Sequence, residues 1–285
     1  MPRAKARKGL SIHIGLDYVD PNHYDGWDGK LAACVFDARD MIKLAKSRKF
    51  KPTLLLNEQA TSSNVTAAIS GAASKLDTGD MLWISYSGHG GQVPDTNGDE
   101  KDGFDETWVL YDRQLVDDEL YALWSQFAPG VRVLVTSDSC HSGSVVRKII
   151  YDQLKNSPIA SAAPAADPLA GTRAMPEDAQ KRTYRKNKAT YDGIQKTFRS
   201  GEKIAVNASI LLMSGCQDNQ LSSDGTRNGL FTQTMLKVWN GGKFSGRYAA
   251  FHKTILDQMP PWQSPNFMRV GVKDANFEAQ TPFTI

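Results

Sequence analysis

The sequence has few cysteines and no long hydrophobic run. Its three cysteines, Cys34, Cys140 and Cys216, show no C-x-x-C spacing, so neither a disulfide framework nor a zinc knuckle is expected. No stretch approaches the roughly 18 consecutive apolar residues of a transmembrane helix. The apolar stretch after the basic start is short and interrupted by polar residues, which does not fit a signal peptide. We therefore expect a cytoplasmic protein with reduced thiols and a flexible arm over residues 1–8.

The chain also lacks a strong charge of either sign. Its net charge is +3 over 285 residues, which argues against nucleic acid or a membrane surface as a partner. Hydrophobic residues at 40% and charged residues at 23% are typical of a globular protein with a substantial core.

Apolar runs alternate with amphipathic helical patterns along the chain. Strands are predicted at 9–19, 52–57, 80–91, 107–112, 130–140 and 208–217, and helices at 34–49, 61–76, 116–127, 230–239 and 248–258. This alternation predicts an α/β fold with a mostly parallel central sheet flanked by helices. Residues 151–207 are rich in Ala, Pro, Ser, Lys and Arg. We predict that they form a loop-rich insertion in a single domain spanning 9–285.

Three of the buried strands end in polar, glycine-rich sequences. These are "YSGHGG" (86–91), "SDSCHSG" (137–143) and "MSGCQDNQ" (213–220). Parallel strands bring their carboxyl ends to one edge of the sheet. His89 and Cys140, 51 residues apart in sequence, are therefore expected to be neighbours in space.

A histidine beside a cysteine at such an edge predicts nucleophilic catalysis. The imidazole accepts the thiol proton, and the thiolate attacks a carbonyl carbon. Gly88 and Gly90, with the amide of Cys140, are candidate backbone donors to an oxyanion. A single cysteine at a strand end is also compatible with a buried structural thiol. The matched polar strand ends favour the catalytic interpretation for Cys140. For Cys216, a position lining the edge of the site and a buried thiol both stay open.

Two other readings of this edge are weaker. Cys140 and His141 are adjacent and point in opposite directions, and no further Cys/His pair completes a metal site. "CHSGS" also lacks the G-x-S-x-G elbow of a serine hydrolase.

In combination, these motifs resemble the caspase-like clan of cysteine peptidases. "YSGHGG" and "DSCHSG" lie about 50 residues apart, and "DSCHSGS" with "DGFDETWVLYD" resembles metacaspases and their bacterial relatives, of peptidase C14 type. The likeness runs from "GLSIHIGLDY" to "MSGCQDNQLSSDG". It implies a caspase-hemoglobinase-like three-layer sandwich and a His89/Cys140 dyad that needs no cofactor for its chemistry. It also implies a monomer that cleaves protein or peptide substrates after Arg or Lys.

The resemblance further implies a pocket for the Arg or Lys side chain of the substrate. The family's pocket positions are occupied here by Cys34, Asp37, Ser87 and Asp138. Two carboxylates in a narrow pocket favour a guanidinium or an ammonium group. Taken singly, Asp37 is also compatible with a solvated helix position and Asp138 with a turn cap.

Calcium is the one activator that the resemblance implies. Asp105, Asp117 and Asp118 match three of the family's calcium-binding acids, but the fourth position is Arg147, which would repel a cation. The loop "DTNGDEKDGFDE" (95–106) has acids at EF-hand spacing without the glycine at its sixth position. A solvated acidic loop is the favoured interpretation of that segment.

The insertion carries a basic excess, with nine basic and four acidic residues from Arg173 to Lys203. Such a segment could enter an acidic pocket, and we predict self-processing or autoinhibition at Arg173, Arg182, Arg185 or Lys186. A solvated disordered loop is the alternative. For the whole chain the alternative to a peptidase is a caspase-fold interaction protein with weak or no catalysis.

Overall fold

The computed structural model describes residues 6–98, 100, 102–140, 172–198, 204–216, 224–225 and 227–285. The strands are β1 (Gly9–Gly15), β2 (Lys51–Leu56), β3 (Met81–Ser87), β4 (Gly90–Pro94), β5 (Phe104–Val109), β6 (Gln114–Val116), β7 (Arg132–Asp138), β8 (Ser209–Ser214) and β9 (Asn266–Gly271). The helices are α1 (Cys34–Ser47), α2 (Ser62–Ala73), α3 (Asp117–Trp124), α4 (Glu177–Lys186), α5 (Lys188–Phe198), α6 (Leu230–Trp239), α7 (Tyr248–Leu256) and α8 (Ala275–Ala279).

Six strands form the central sheet in the order β2-β1-β3-β7-β8-β9. All neighbours are parallel except β9, which runs antiparallel to β8. The mostly parallel α/β architecture predicted from the alternating pattern is confirmed. The edge strand β9 and the short helix α8 are additions that the sequence pattern did not indicate.

Helices cover both faces of this sheet because its inner strands are apolar on both sides. Leu82 and Ile84 of β3 face the side on which α2 and α3 pack. Met81 and Trp83 point to the opposite side, where α1, α6 and α7 pack. Alternation of side chains along a strand separates these two cores. The result is the three-layer sandwich expected from the sequence.

A second, smaller sheet follows β3 directly. The apolar run predicted as one strand over 80–91 ends at Ser87, and a new strand begins at Gly90. Strands β4, β5 and β6 are antiparallel neighbours in this second sheet. The break between β3 and β4 leaves Gly88 and His89 in the connection, at the edge of the central sheet.

The prediction of a loop-rich insertion is wrong for residues 177–198, which form α4 and α5. Tyr191 of α5 packs on Val93 and Val116 of the small sheet. Gln195 donates to the carbonyl of Pro94 at 2.9 Å. The buried side chains of these helices include Thr183 and Gln195, so their inward faces are partly polar. These helices therefore lack the apolar periodicity by which a helix is predicted from sequence.

The last residue of the predicted flexible arm, Lys8, is hydrogen-bonded to the rest of the fold. The backbone N–H of Lys8 donates to Asp80 Oδ1 at 2.8 Å, and the N–H of Met81 donates to the Lys8 carbonyl at 2.9 Å. Lys8 is therefore attached to the start of β3. Residues 1–5 lie outside the described part of the chain.

Candidate active site

The ends of β3 and β7 are adjacent, with Ser87 opposite Asp138 in the parallel register. His89 follows β3 and Cys140 follows β7, and both residues are buried. The structure thus brings the two predicted strand ends to one edge. His141, which follows Cys140, lies outside the described residues.

The ring of His89 is oriented by contacts on its far side. Its Nε2 lies 3.1 Å from the carbonyl oxygen of Gly29. A carbonyl oxygen can only accept, so Nε2 carries the hydrogen and Nδ1 is the basic nitrogen of the neutral ring. The Trp27 ring packs against the imidazole with centroids 4.8 Å apart. The hydroxyl of Tyr86 donates to the His89 carbonyl at 2.6 Å, which fixes the backbone.

A backbone carbonyl from the insertion occupies the space between the two strand ends. The carbonyl oxygen of Arg173 accepts the N–H of Gly90 at 3.0 Å and the N–H of Cys140 at 3.1 Å. The N–H of Met175 donates back to the Gly90 carbonyl at 2.8 Å. Two N–H groups on one carbonyl oxygen form the geometry that stabilises an oxyanion.

The donor pair differs from the predicted one at Gly88. Its N–H points to the carbonyl of Asp138, at a long 3.5 Å, and not to Arg173. Gly88 belongs to the short connection between β3 and β4, where its amide faces β7. Gly90 and Cys140 are the two residues whose amides converge.

The side chain of Arg173 is fully buried in an acidic pocket. Its Nη1 donates to Ser87 Oγ at 2.8 Å and lies 3.0 Å from Asp138 Oδ2. Its Nη2 donates to Asp37 Oδ2 at 2.7 Å. Three of the four predicted pocket residues therefore contact one guanidinium. The fourth, Cys34, is buried nearby, and burial raises the pKa of its thiol well above the usual range.

Asp224 is a pocket residue that the sequence analysis missed. Its Oδ1 accepts from Arg173 Nη2 at 2.9 Å and from Nε at 3.3 Å. Its Oδ2 accepts the N–H of Ala32 at 2.7 Å. The residue stands in a polar stretch, "LSSDGTRNG", with no periodic signal. Only its spatial position connects it with Asp37 and Asp138.

The start of α6 holds two of the pocket's carboxylates. The N–H of Gly229, at the N-cap, donates to Asp37 Oδ1 at 3.2 Å. The N–H and hydroxyl of Thr232 donate to Asp138 Oδ2 at 3.0 and 2.8 Å. The amino end of a helix carries a partial positive charge and unpaired N–H groups. It therefore stabilises negative charge at this buried position.

Burial and charge act against each other in the pocket. The pKa of Asp37 is raised to about 6 as the net result of burial, which raises it, the guanidinium of Arg173, which lowers it, and the charge of Asp138, which raises it. Burial alone would lower the pKa of Arg173, but the surrounding anionic groups, Asp138 first, raise it well above its usual value. The guanidinium therefore stays charged inside the protein.

The sequence patterns do not predict the contact between the sulfur atoms of Cys140 and Cys216 that the structure shows. Their Cα atoms are 6.0 Å apart, although 76 residues separate them in sequence. Cys140 follows β7 and Cys216 follows β8, and these strands are parallel neighbours. Adjacent parallel strands place the two residues side by side, which sequence spacing conceals. Cys34 is a free, buried cysteine.

One of the three predicted calcium ligands, Asp117, belongs to a group of converging acids. Within the described chain, Glu100, Glu106 and Asp117 offer carboxylate oxygens within 4.8 Å of one another. Asp118 instead accepts from the side chain of Asn97 at 2.9 Å, and Asp105 is buried within β5. Burial, followed by the charge of Glu106, raises the pKa of Asp117 to about 9. Three carboxylates fit the oxygen preference of a hard divalent cation.

The EF-hand-like loop has a different structure. Oδ1 of Asp95 accepts the N–H groups of Asn97 and Gly98, at 2.8 and 2.7 Å. These bonds close a turn within the loop. Asp99 of this loop and Arg147, the fourth predicted calcium position, lie outside the described residues.

The fold and this edge define a protein of the caspase-hemoglobinase type, with a histidine and a cysteine after adjacent parallel strands. A family model for the caspase domain (Peptidase C14) matches residues 19–274. The chain belongs to this family.

Metacaspases are among the relatives of this chain. Metacaspase-1 of Mycosarcoma maydis is 31% identical over 254 residues, which is 79% of this chain and 60% of the relative. Metacaspase-4 of Arabidopsis thaliana is 36% identical over 135 residues, 44% of this chain and 32% of the relative. The chain thus spans less than two thirds of these relatives. The crystal structure of a Geobacter sulfurreducens protein is 51% identical, covers 98% of this chain and 99% of its own, and superposes with a TM-score of 0.87.

One further structural finding concerns membranes. None of the helices in the described part of the chain is long and apolar enough to cross a bilayer.

The pocket leads to a prediction at Gly229, where an added Cβ would lie 2.4 Å from Arg173 Cζ and 2.5 Å from Asp138 Oδ2. The backbone φ of −60° suits alanine, so Gly229→Ala should fold and exclude the guanidinium. We expect added trypsin to cut after Arg173 at least about tenfold faster than in the parent, because the displaced side chain becomes accessible. Both proteins carry Cys140→Ala, so that only the added trypsin contributes to the measured cleavage rate.

Gly71→Ala is the matched control, since a Cβ at this position in α2 meets nothing within 4 Å. Equal trypsin rates in the Gly229 variant, the control and the parent would contradict the pocket geometry.

Proposed function

We propose that this chain is a cysteine endopeptidase that hydrolyses peptide bonds after Arg or Lys. The observation that carries the proposal is the placement of Arg173. Its guanidinium lies among Asp37, Asp138 and Asp224, while its own carbonyl oxygen accepts from Gly90 and Cys140. One residue therefore meets both requirements of a substrate residue before a cleaved bond.

The proposed reaction uses the groups around that carbonyl. Nδ1 of His89 removes the proton of the Cys140 thiol, and the thiolate attacks the carbonyl carbon of Arg173. The N–H groups of Gly90 and Cys140 stabilise the negative oxygen that forms. His89 then gives its proton to the departing amine of Ala174, leaving a thioester on Cys140. Water, deprotonated by His89, hydrolyses the thioester and restores the thiol.

Among the four predicted processing sites, the geometry favours Arg173. Arg182, Arg185 and Lys186 belong to helix α4. None of these three residues pairs its carbonyl with Gly90 or Cys140 in the structure, whereas the carbonyl of Arg173 accepts from both. Arg173 precedes the helix, and its neighbour Ala174 forms an isolated bridge with Gly90.

The same placement supports autoinhibition before cleavage. A buried Arg173 excludes any other basic side chain from the pocket. Hydrolysis of the Arg173–Ala174 bond would create a new amino terminus at Ala174, from which α4 and α5 follow. These helices pack on the small sheet through Tyr191, so the downstream fragment can stay attached.

We predict self-cleavage at this bond when the reduced protein is incubated alone. Fragments that begin at Ala174 should form in the wild type, and Cys140→Ala and Arg173→Ala should abolish them at that position. Arg185→Ala is the matched control, because it removes a basic residue from α4 and should leave cleavage intact. Mass spectrometry of the new termini gives the readout, and fluorogenic peptides ending in Arg, Lys or Asp test cleavage in trans.

Two outcomes would count against the proposal. Equal peptide cleavage by the wild type and Cys140→Ala would assign the activity to a contaminant. No cleavage by the reduced wild type, across pH and calcium, would favour the alternative of a caspase-fold interaction protein.

Calcium is proposed as an activator that acts through Glu100, Glu106 and Asp117. When bound, the cation would offset the repulsion among these carboxylates. We expect calcium, compared with a chelator, to raise the Tm by at least about 2 °C. Asp117→Asn should lose this shift, and Asp102→Asn, in the same acidic loop, should keep it. An unchanged Tm and unchanged peptide cleavage in the wild type would remove calcium from the proposal.

A further inference from the structure

The nitrogens of the Arg173 guanidinium have different partners. Nη1 faces Ser87 and Asp138, and Nη2 faces Asp37 and Asp224. Nε, the nitrogen within the side-chain stem, donates to Asp224 Oδ1 at 3.3 Å. Asp224 therefore contacts two adjacent N–H groups on one edge of the guanidinium.

A lysine cannot reproduce this edge. Its charge is a single terminal ammonium, and it has a methylene where arginine has Nε. An ammonium can still reach carboxylates such as Asp37 or Asp138, which meet the terminal nitrogens. The Nε contact with Asp224 is the part of the pocket that only arginine can use. Planar pairing of a carboxylate with a guanidinium edge is a specific form of recognition.

Asp224 is also held ready for this contact. Its other oxygen accepts the N–H of Ala32 at 2.7 Å, and its side chain is 6% exposed. The carboxylate therefore joins the loop before α1 to the segment before α6. A buried, anchored carboxylate loses little conformational freedom when the guanidinium binds.

We propose that Asp224 is the residue that selects arginine over lysine before the cleaved bond. The inference deepens the proposed function and rests on it. Asp37, Ser87 and Asp138 recognise a basic group of either kind, and Asp224 adds the contact that depends on Nε.

The test compares two fluorogenic peptides that differ only by Arg or Lys before the bond. Each protein is first reduced and fully processed at Arg173, as verified by mass, so that the pocket is open. In Asp224→Ala, kcat/KM for the Arg peptide should fall by at least about tenfold more than kcat/KM for the Lys peptide, a change of about 1.4 kcal/mol in discrimination. Asp224→Asn, which keeps the shape, should move the ratio in the same direction.

Asp40→Asn is the control for loss of charge. Asp40 accepts from Asn228 and Lys43 close to the pocket and does not contact the guanidinium. The Arg-to-Lys ratio of kcat/KM in Asp40→Asn should equal the ratio in the wild type. Thermal unfolding of every variant confirms that the compared proteins are folded.

Several results would overturn the inference. The inference fails if the Arg-to-Lys ratio of kcat/KM is unchanged in both Asp224 variants. It fails equally if kcat/KM falls by the same factor on both peptides, because Asp224 would then favour any basic side chain. A wild type without any preference for Arg would also overturn it. Absence of Cys140-dependent cleavage of both peptides by the wild type would instead refute the proposed function, so the two failures are distinguishable.

A second inference comes independently from the proximity of Cys140 and Cys216. The Cα separation of 6.0 Å lies in the range that a disulfide bridges without backbone movement. Both residues are buried at the ends of neighbouring strands. The proposed nucleophile is thus placed beside a second thiol, and while the bond exists it has no proton for His89 to remove.

We propose that Cys216 is the partner for reversible oxidation of Cys140 by a hydroperoxide. The Cys140 thiolate attacks the peroxide oxygen, giving a sulfenic acid and releasing an alcohol or water. The Cys216 thiol then attacks that sulfur, the disulfide forms, and water leaves. A small dithiol reverses the step by thiol exchange and becomes a disulfide itself.

Hydrogen peroxide and intact-mass measurement test this on the reduced protein. The wild type should lose the mass of two hydrogen atoms, show a Cys140–Cys216 peptide, and regain peptidase activity with a dithiol. Cys216→Ser should be oxidised further at Cys140 and recover at least about tenfold less activity. Cys34→Ser is the control for the mass readout and should still lose the mass of two hydrogen atoms.

No mass loss in the wild type, or full recovery of the Cys216 variant, would overturn the inference. The mass readout needs no peptidase activity, so it stands even if the proposed function fails.

Discussion

The buried guanidinium of Arg173 among three carboxylates is the interaction on which the rest of the site depends. One positive charge faces Asp37, Asp138 and Asp224, so the pocket keeps an excess of negative charge. Ionised groups out of water are unfavourable unless they are paired and hydrogen-bonded. The N-terminal turn of α6 and the hydroxyl of Ser87 supply further donors. An emptied pocket would still require a cation, and this requirement makes it selective.

The same interaction connects parts of the chain that are far apart. Asp37 comes from α1, Asp138 from the end of β7, and Asp224 from the segment before α6. Arg173 comes from the insertion and reaches them through its side chain, while its carbonyl reaches the ends of β3 and β7. The side-chain contact and the carbonyl contact come from the same residue. A basic side chain that fills the pocket therefore places its own carbonyl, and the peptide bond after it, beside Cys140. Recognition and proposed chemistry are coupled by this single geometric relation.

The sequence predicts the parts of the structure that have a periodic or motif signal. The inner strands are apolar on both faces, and their glycine-framed ends predict that His89 and Cys140 lie at one edge of the sheet. The helices at 177–198 could not be found in this way, since their inward faces carry polar groups that pair only in the fold. Two features of the site, the pocket residue Asp224 and the proximity of Cys216 to Cys140, could not be predicted from the sequence for a related reason. Each depends on a distance between segments, and such distances leave no local pattern.

The two inferred controls on Cys140 differ in chemistry and therefore in reversibility. Under the proposed function, Arg173 blocks the pocket until a peptide bond is hydrolysed, and hydrolysis in water is not undone. Under the oxidation proposal, Cys216 blocks the sulfur through a bond that thiol exchange breaks and remakes. Peptide hydrolysis requires the Cys140 thiol, so oxidation can also delay the first event. The order follows from the chemistry: reduction must precede self-cleavage, and oxidation can recur after it.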